Sequence, residues 1–249
     1  MNSGTGKRRY QDVAEDLRKA ILEGGYRVGD RLWTERQISA DLEVSRSVVR
    51  EAVIMLEIEG LVDVRKGSGL YVANPPEPGA SQTRGDIGPF ELLQARQILE
   101  SSIAAFAATM VTKADVLRMR EALDMERKAI EADSDDYSGD ELFHRLIAEA
   151  SQNAVLVDML DQLWRKRELS PMWARLHDRI FDRGYRTRWL DDHQAILTAL
   201  QCRDPAQARD AMWRHLENVR QTLLELSDVD DPEFDGYLFH TDPVIARTG

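Results

Sequence analysis

Between Tyr10 and Glu23 the apolar residues Val13, Ala14, Leu17, Ala20 and Ile21 recur at helical spacing, and Gly24-Gly25 ends the run, so a first helix is predicted. Thr34-Glu35-Arg36-Gln37 has the capping-box form and opens a short second helix through Ile38, Ala40 and Leu42. Ser45 caps a third helix, whose apolar face is Val48, Val49, Ala52, Val53, Leu56 and Ile58 and which leaves Arg46, Ser47 and Arg50 outside. Beyond Gly60, the β-branched stretch Leu61–Arg65, the turn Lys66-Gly67-Ser68-Gly69 and the return Leu70–Val72 predict a small hairpin with a basic tip. Residues 73–89 hold four prolines and three glycines without hydrophobic periodicity, which suits an exposed linker. From Phe90 to Leu226 the pattern is of consecutive amphipathic helices, with no competing strand signal.

The expected fold is mainly α: a winged helix-turn-helix over residues 1–75, a linker over 76–89, an antiparallel α-helical bundle over 90–228 and a tail over 229–249. A length of 249 residues suits two domains, each burying its own core. The first 76 residues hold twelve Lys or Arg and twelve Asp or Glu, so the whole excess behind the net charge of −11 lies in the second part. A near-neutral reading domain implies a localised basic face. One cysteine, Cys202, excludes an intrachain disulfide and fits a reducing compartment, hence the cytoplasm. No stretch approaches the roughly 20 apolar residues of a membrane span, and the basic N-terminus lacks the apolar segment of an export signal.

Two helices joined by a tight turn, the second opening on small and basic residues, are what a major-groove reader needs, so duplex DNA is the expected partner. Ser45, Arg46, Ser47 and Arg50 head the reading helix, and Arg46 and Arg50, four apart, share a face on which one can take a guanine edge and the other a phosphate. Arg36 reaches backbone phosphate, and the tip Arg65-Lys66-Gly67 enters the minor groove, with Gly67 permitting close approach. Arg31-Leu32-Trp33-Thr34-Glu35-Arg36-Gln37-Ile38 and Val44 to Ala52 resemble the signature of GntR-family transcription regulators, although Trp33 stands where that family usually has proline. The resemblance implies DNA contact by Arg36, Arg46, Arg50 and the wing at Gly67, and a homodimer on a palindromic operator.

In the second part, Asp140 and His144 stand four apart on one helix face, and His193 and His215 each fall within an apolar helical pattern that turns them inward. One carboxylate and three imidazoles suit a divalent transition metal, with zinc, nickel and manganese favoured over calcium. The spacings of 49 and 22 residues between the successive histidines resemble those of the helical effector domain in the FadR-type branch of the same family, which implies Asp140, His144, His193 and His215 as ligands. Such a centre leaves open positions and a local charge of about +1, suited to an organic acid. Arg96 is either a second anchor for its carboxylate or the partner of a structural salt bridge with Glu100. Asn153 is read as the cap of the following helix.

Residues 53–60, 170–177, 211–218 and 234–239 resemble the hexuronate-responsive repressors of that branch. The resemblance implies repression of fructuronate and glucuronate catabolism, relieved when the sugar acid binds and weakens operator binding. Trp173, Arg175, His177 and Trp164 are candidate contacts to its hydroxyls. Two alternatives remain at this stage: a metal-dependent sugar-acid enzyme, against which stands the lack of a motif such as H-E-x-x-H, and an activator responding to another organic acid.

Overall fold

A computed structural model describes residues 10–65, 68–73, 87–180 and 184–228. Along the chain run α1 (Tyr10–Glu23), α2 (Glu35–Leu42), α3 (Arg46–Ile58), β1 (Val62–Arg65), β2 (Gly69–Val72), α4 (Pro89–Met110), α5 (Lys113–Glu131), α6 (Ser138–Ala150), α7 (Ala154–Leu169), α8 (Pro171–His177), α9 (Tyr185–Gln201) and α10 (Pro205–Leu226). The mainly α class and the order of the predicted elements are as expected. Two compact units divide the chain, one of residues 1–90, 170–179 and 227–249, the other of residues 91–169 and 180–226.

In the first unit, α1 and α3 pack through Val13, Leu17 and Ile21 on one side and Val49, Val53 and Leu56 on the other, all buried. Burial of each such side chain contributes roughly 1.5–3 kcal/mol. Thr34 Oγ1 accepts from the Gln37 amide at 3.1 Å while Gln37 Oε1 accepts from the Thr34 amide at 2.8 Å, so the predicted capping box starts α2. The turn into α3 contains no glycine: Glu43 itself adopts the left-handed conformation at φ 54°, and Ser39 ties the next residue back through Ser39 Oγ to Val44 O at 2.6 Å. α3 stops at Gly60, whose φ of 77° lets the Leu61 amide reach Leu56 O at 2.9 Å. β1 and β2 pair antiparallel, Val62 opposite Val72 and Arg65 opposite Gly69, and Arg31 bridges to Tyr71 along the outer edge.

α8 departs from the expectation of one helical domain over 90–228, because it packs on α3 and belongs to the first unit. Its Met172 and Leu176, one turn apart, are both buried, and Arg179, just beyond it, pairs with Glu57 of α3 at 2.6 Å. The expected linker over 76–89 falls mostly, and the tail over 229–249 wholly, outside the described residues.

In the second unit α5 packs on α6 and α9, α9 on α10 and α6 on α7. Their shared core holds Ile103, Ala107, Phe143, Ile147, Leu160, Ile196, Leu200, Met212 and Leu216. Gly139 lets α6 start hard against α5: a Cβ there would stand 2.5 Å from the Glu126 amide nitrogen and 2.9 Å from Ala122 O. Asn153 Oδ1 accepts from the Val155 amide at 3.1 Å, the expected cap of α7. No described helix is long and apolar enough to cross a membrane.

Candidate functional site

The helix-turn-helix presents only part of the predicted DNA face. Arg36 and Ser45 are exposed, and Ser47 and Arg46 are partly so. Ser45 Oγ lies 3.0 Å from Ser47 Oγ, and Arg46 pairs with Asp228 at 2.5 Å. On the wing, Arg65 is exposed, pairs with Asp63 at 2.9 Å and lies 4.3 Å over the Tyr71 ring. Lys66 and Gly67 lie outside the described residues.

Arg50 corrects the sequence reading. Its side chain is fully buried, Nε and Nη2 bind the equally buried Glu35 carboxylate, and the guanidinium also donates to Ser227 Oγ and lies 3.5 Å from Asp228 Oδ1. The cause is the surroundings of α3, in which every residue from Val49 to Leu56 is buried, so position 50 has no solvent face. The apolar periodicity of one helix does not reveal that its other faces are also covered.

The second unit brings together all four expected metal ligands. α6 carries Asp140 and His144, α9 His193 and α10 His215. His193 Nε2 lies 3.2 Å from His144 Nε2 and 3.1 Å from His215 Nε2, and Asp140 Oδ1 lies 3.4 Å from His144 Nε2 and 3.5 Å from His193 Nε2. The imidazoles are buried. Behind them stand carboxylates that the sequence reading did not assign to this centre: Glu100 Oε2 at 2.5 Å from His144 Nδ1, Glu126 Oε2 at 2.8 Å from His193 Nδ1 and Asp192 Oδ2 at 3.5 Å from His215 Nδ1. Glu126 follows Met119, Ala122 and Leu123 on the buried face of α5, and an acidic residue at such a position was the available signal.

These distances decide the donor pattern. A carboxylate can only accept, so His144 and His193 spend their Nδ1 protons on Glu100 and Glu126 and turn Nε2 lone pairs toward each other. Lone pairs at 3.1–3.2 Å repel unless a proton or a metal ion lies between them, and such separations also suit ligands on an ion with bonds of about 2.0–2.1 Å. The donor set therefore fits a divalent transition metal. The field around it is consistent: burial resists ionisation of Glu100, yet Arg96 and His144 bring its pKa down to about 2. Burial opposes charge on His144, but Glu100 and Asp140 outweigh it and raise the pKa to about 9, so a proton and a metal ion compete for its Nε2. Burial and then His193 push His215 down to about 3, leaving a neutral ligand.

Arg96 is buried, pairs with Glu100 at 2.6 Å and lies 4.3 Å over the Trp164 ring, which is 5.8 Å from His144. Arg167 lies over the same indole at 4.8 Å and over Tyr137 at 5.5 Å, and the Tyr137 and Tyr185 hydroxyls are 2.7 Å apart. Trp173, Arg175 and His177 are the residues expected to touch the effector. They sit on α8 in the first unit, where Arg175 lies 3.4 Å from Glu57, because the apolar side of that helix is spent on α3.

A winged helix-turn-helix joined to a helical bundle with a buried histidine–aspartate centre defines a DNA-binding regulator with a second, all-helical domain. Comparison with known proteins agrees: residues 9–72 match the bacterial regulatory proteins of the gntR family, and residues 91–218 match the FCD domain. The chain belongs to the GntR family of transcriptional regulators, in its FCD-domain branch. It is 52% identical to the Uxu operon regulator of Haemophilus influenzae over 96% of this chain and 91% of that one. The Uxu operon transcriptional regulator of Escherichia coli K12 is 50% identical over 98% of each chain. The Exu regulon transcriptional regulator of the same strain is 45% identical over 96% and 94%. The family assignment makes the protein a regulator and removes the enzyme alternative.

Proposed function

We propose that the protein is a cytoplasmic, homodimeric repressor of hexuronate catabolism, holding a zinc ion and releasing its operator when fructuronate or glucuronate binds. Asp140, His144, His193 and His215 would hold the ion, which supplies Lewis-acid coordination to carboxylate and hydroxyl oxygens. Its charge of +2 less the Asp140 carboxylate leaves about +1 to attract an acid. Arg96, oriented by Glu100 and Trp164, contributes a second cation at the same side of His144. Arg36, Ser45, Arg46, Ser47, Arg65, Lys66 and Gly67 form the DNA face, with Arg50 holding α2 to α3 behind it.

The convergence of three imidazoles and a carboxylate in a helical domain attached to a winged helix carries this reading, and the Uxu and Exu relatives support the sugar-acid class. Connectivity supports the coupling. α10 carries His215 and ends at Leu226, and the next two residues, Ser227 and Asp228, bond to Arg50 and Arg46. An effector shifts the operator equilibrium only by its differential affinity for the two states. Fluorescence anisotropy of labelled uxu operator DNA, titrated with zinc-loaded protein with and without each hexuronate, tests this. The expected result is a loss of operator affinity of tenfold or more with one of them. Operator affinity that no hexuronate changes at saturation overturns the effector assignment.

A further inference from the structure

Trp164 and Trp189 are buried, and the indole N–H of each has no hydrogen-bond acceptor among the described residues. Buried donors in native proteins are nearly always satisfied, so two orphans beside one centre call for a common explanation. Both adjoin the metal ligands. Trp164 stands 5.8 Å, ring to ring, from His144. Trp189 precedes His193 by four residues on α9 and so shares its face, and its ring packs 4.4 Å from Tyr185. The surroundings offer donors and cations: Arg96 and Arg167 lie over the Trp164 ring, and Arg186 lies 4.2 Å from the Tyr137 ring centre.

We propose that Trp164 and Trp189 are specificity-determining donors, each giving its indole N–H to an oxygen of the effector and thereby selecting a polyhydroxylated acid over a plain carboxylate. The proposal rests on the effector reading above and deepens it. A carboxylate alone satisfies the ion and one guanidinium and leaves both indoles unpaired. A hexuronate carries hydroxyl and carbonyl oxygens enough for all of them. A site built to bond an oxygen rejects the analogue that lacks it, because its own buried donor then stays unpaired.

The test uses the full-length zinc-loaded protein with W164F and W189F, which keep an aromatic ring and remove the N–H. Isothermal titration with D-fructuronate, D-glucuronate and acetate should show each Phe variant binding the preferred hexuronate about three- to tenfold more weakly, with acetate binding weakened less than that and zinc content unchanged. In indole 1H–15N spectra, signals assigned to Trp164 and Trp189 by their loss in these variants should move when the hexuronate is added. Hexuronate binding that neither variant weakens overturns the assignment alone. Equal weakening of hexuronate and acetate also overturns it, since that marks packing damage. A wild-type protein that binds no hexuronate overturns the effector reading and the assignment together.

Discussion

Replacing Arg50 by Met removes a fully buried guanidinium and leaves the fully buried Glu35 carboxylate without it. Neither side chain has solvent to screen the loss. Breaking a buried ion pair at one partner costs about 3–5 kcal/mol, a large part of the roughly 5–15 kcal/mol that holds a typical domain folded. At a urea dependence of about 1–3 kcal/mol per molar, the midpoint of the first unit should fall by about 1–5 M. R50M should therefore lose operator binding through unfolding. The double variant E35L/R50M replaces the pair by apolar groups, a change that is often neutral or stabilising, and should regain both stability and operator binding. Urea melts followed by circular dichroism, with operator anisotropy on the same samples, measure both quantities. Two results refute the reasoning: R50M melting like the wild type, or a stable double variant that no longer binds operator, which would make Arg50 a DNA contact.

The double substitution H193A/H215A should abolish stoichiometric zinc by elemental analysis while operator binding persists, and full zinc content in that variant would disprove the ligand set. Gly139→Ala drives a methyl into the Glu126 backbone, so α6 must shift and carry Asp140 and His144 with it. About 1–3 kcal/mol of stability and much of the zinc affinity should be lost, as thermal melting and competition with a chelator would show. Asp228→Asn removes the acidic partner of Arg46. A partly exposed pair of this kind is worth up to about 1 kcal/mol, so operator affinity should rise by up to about fivefold at low salt, and no change would show that Asp228 does not compete with DNA.

The local structure was legible because it is governed by neighbours in the chain. α1 was expected over Tyr10–Glu23 and runs over those residues, since apolar spacing and the following glycines are local signals. The Thr34 capping box, the Ser45 cap and the hairpin were likewise written in a few adjacent residues. Asp140 and His144 could be paired from their spacing on α6, and His193 and His215 from the apolar patterns around them.

Tertiary packing decided the rest. Whether Arg50 faces DNA or Glu35 depends on what covers α3, and that cover includes residues 15 positions before it and 177 after it. α8 looked like one more helix of the bundle, yet its buried Met172 and Leu176 go to α3, which places Trp173, Arg175 and His177 in the first unit. Glu100, Glu126 and Asp192 acquire their place behind the histidines only when five helices meet. Sequence alone set the helices, their caps and the residue types able to bind metal and DNA. Which charged groups are buried, and against whom, belongs to the folded chain, because burial is a property of contacts between distant segments and not of spacing within one.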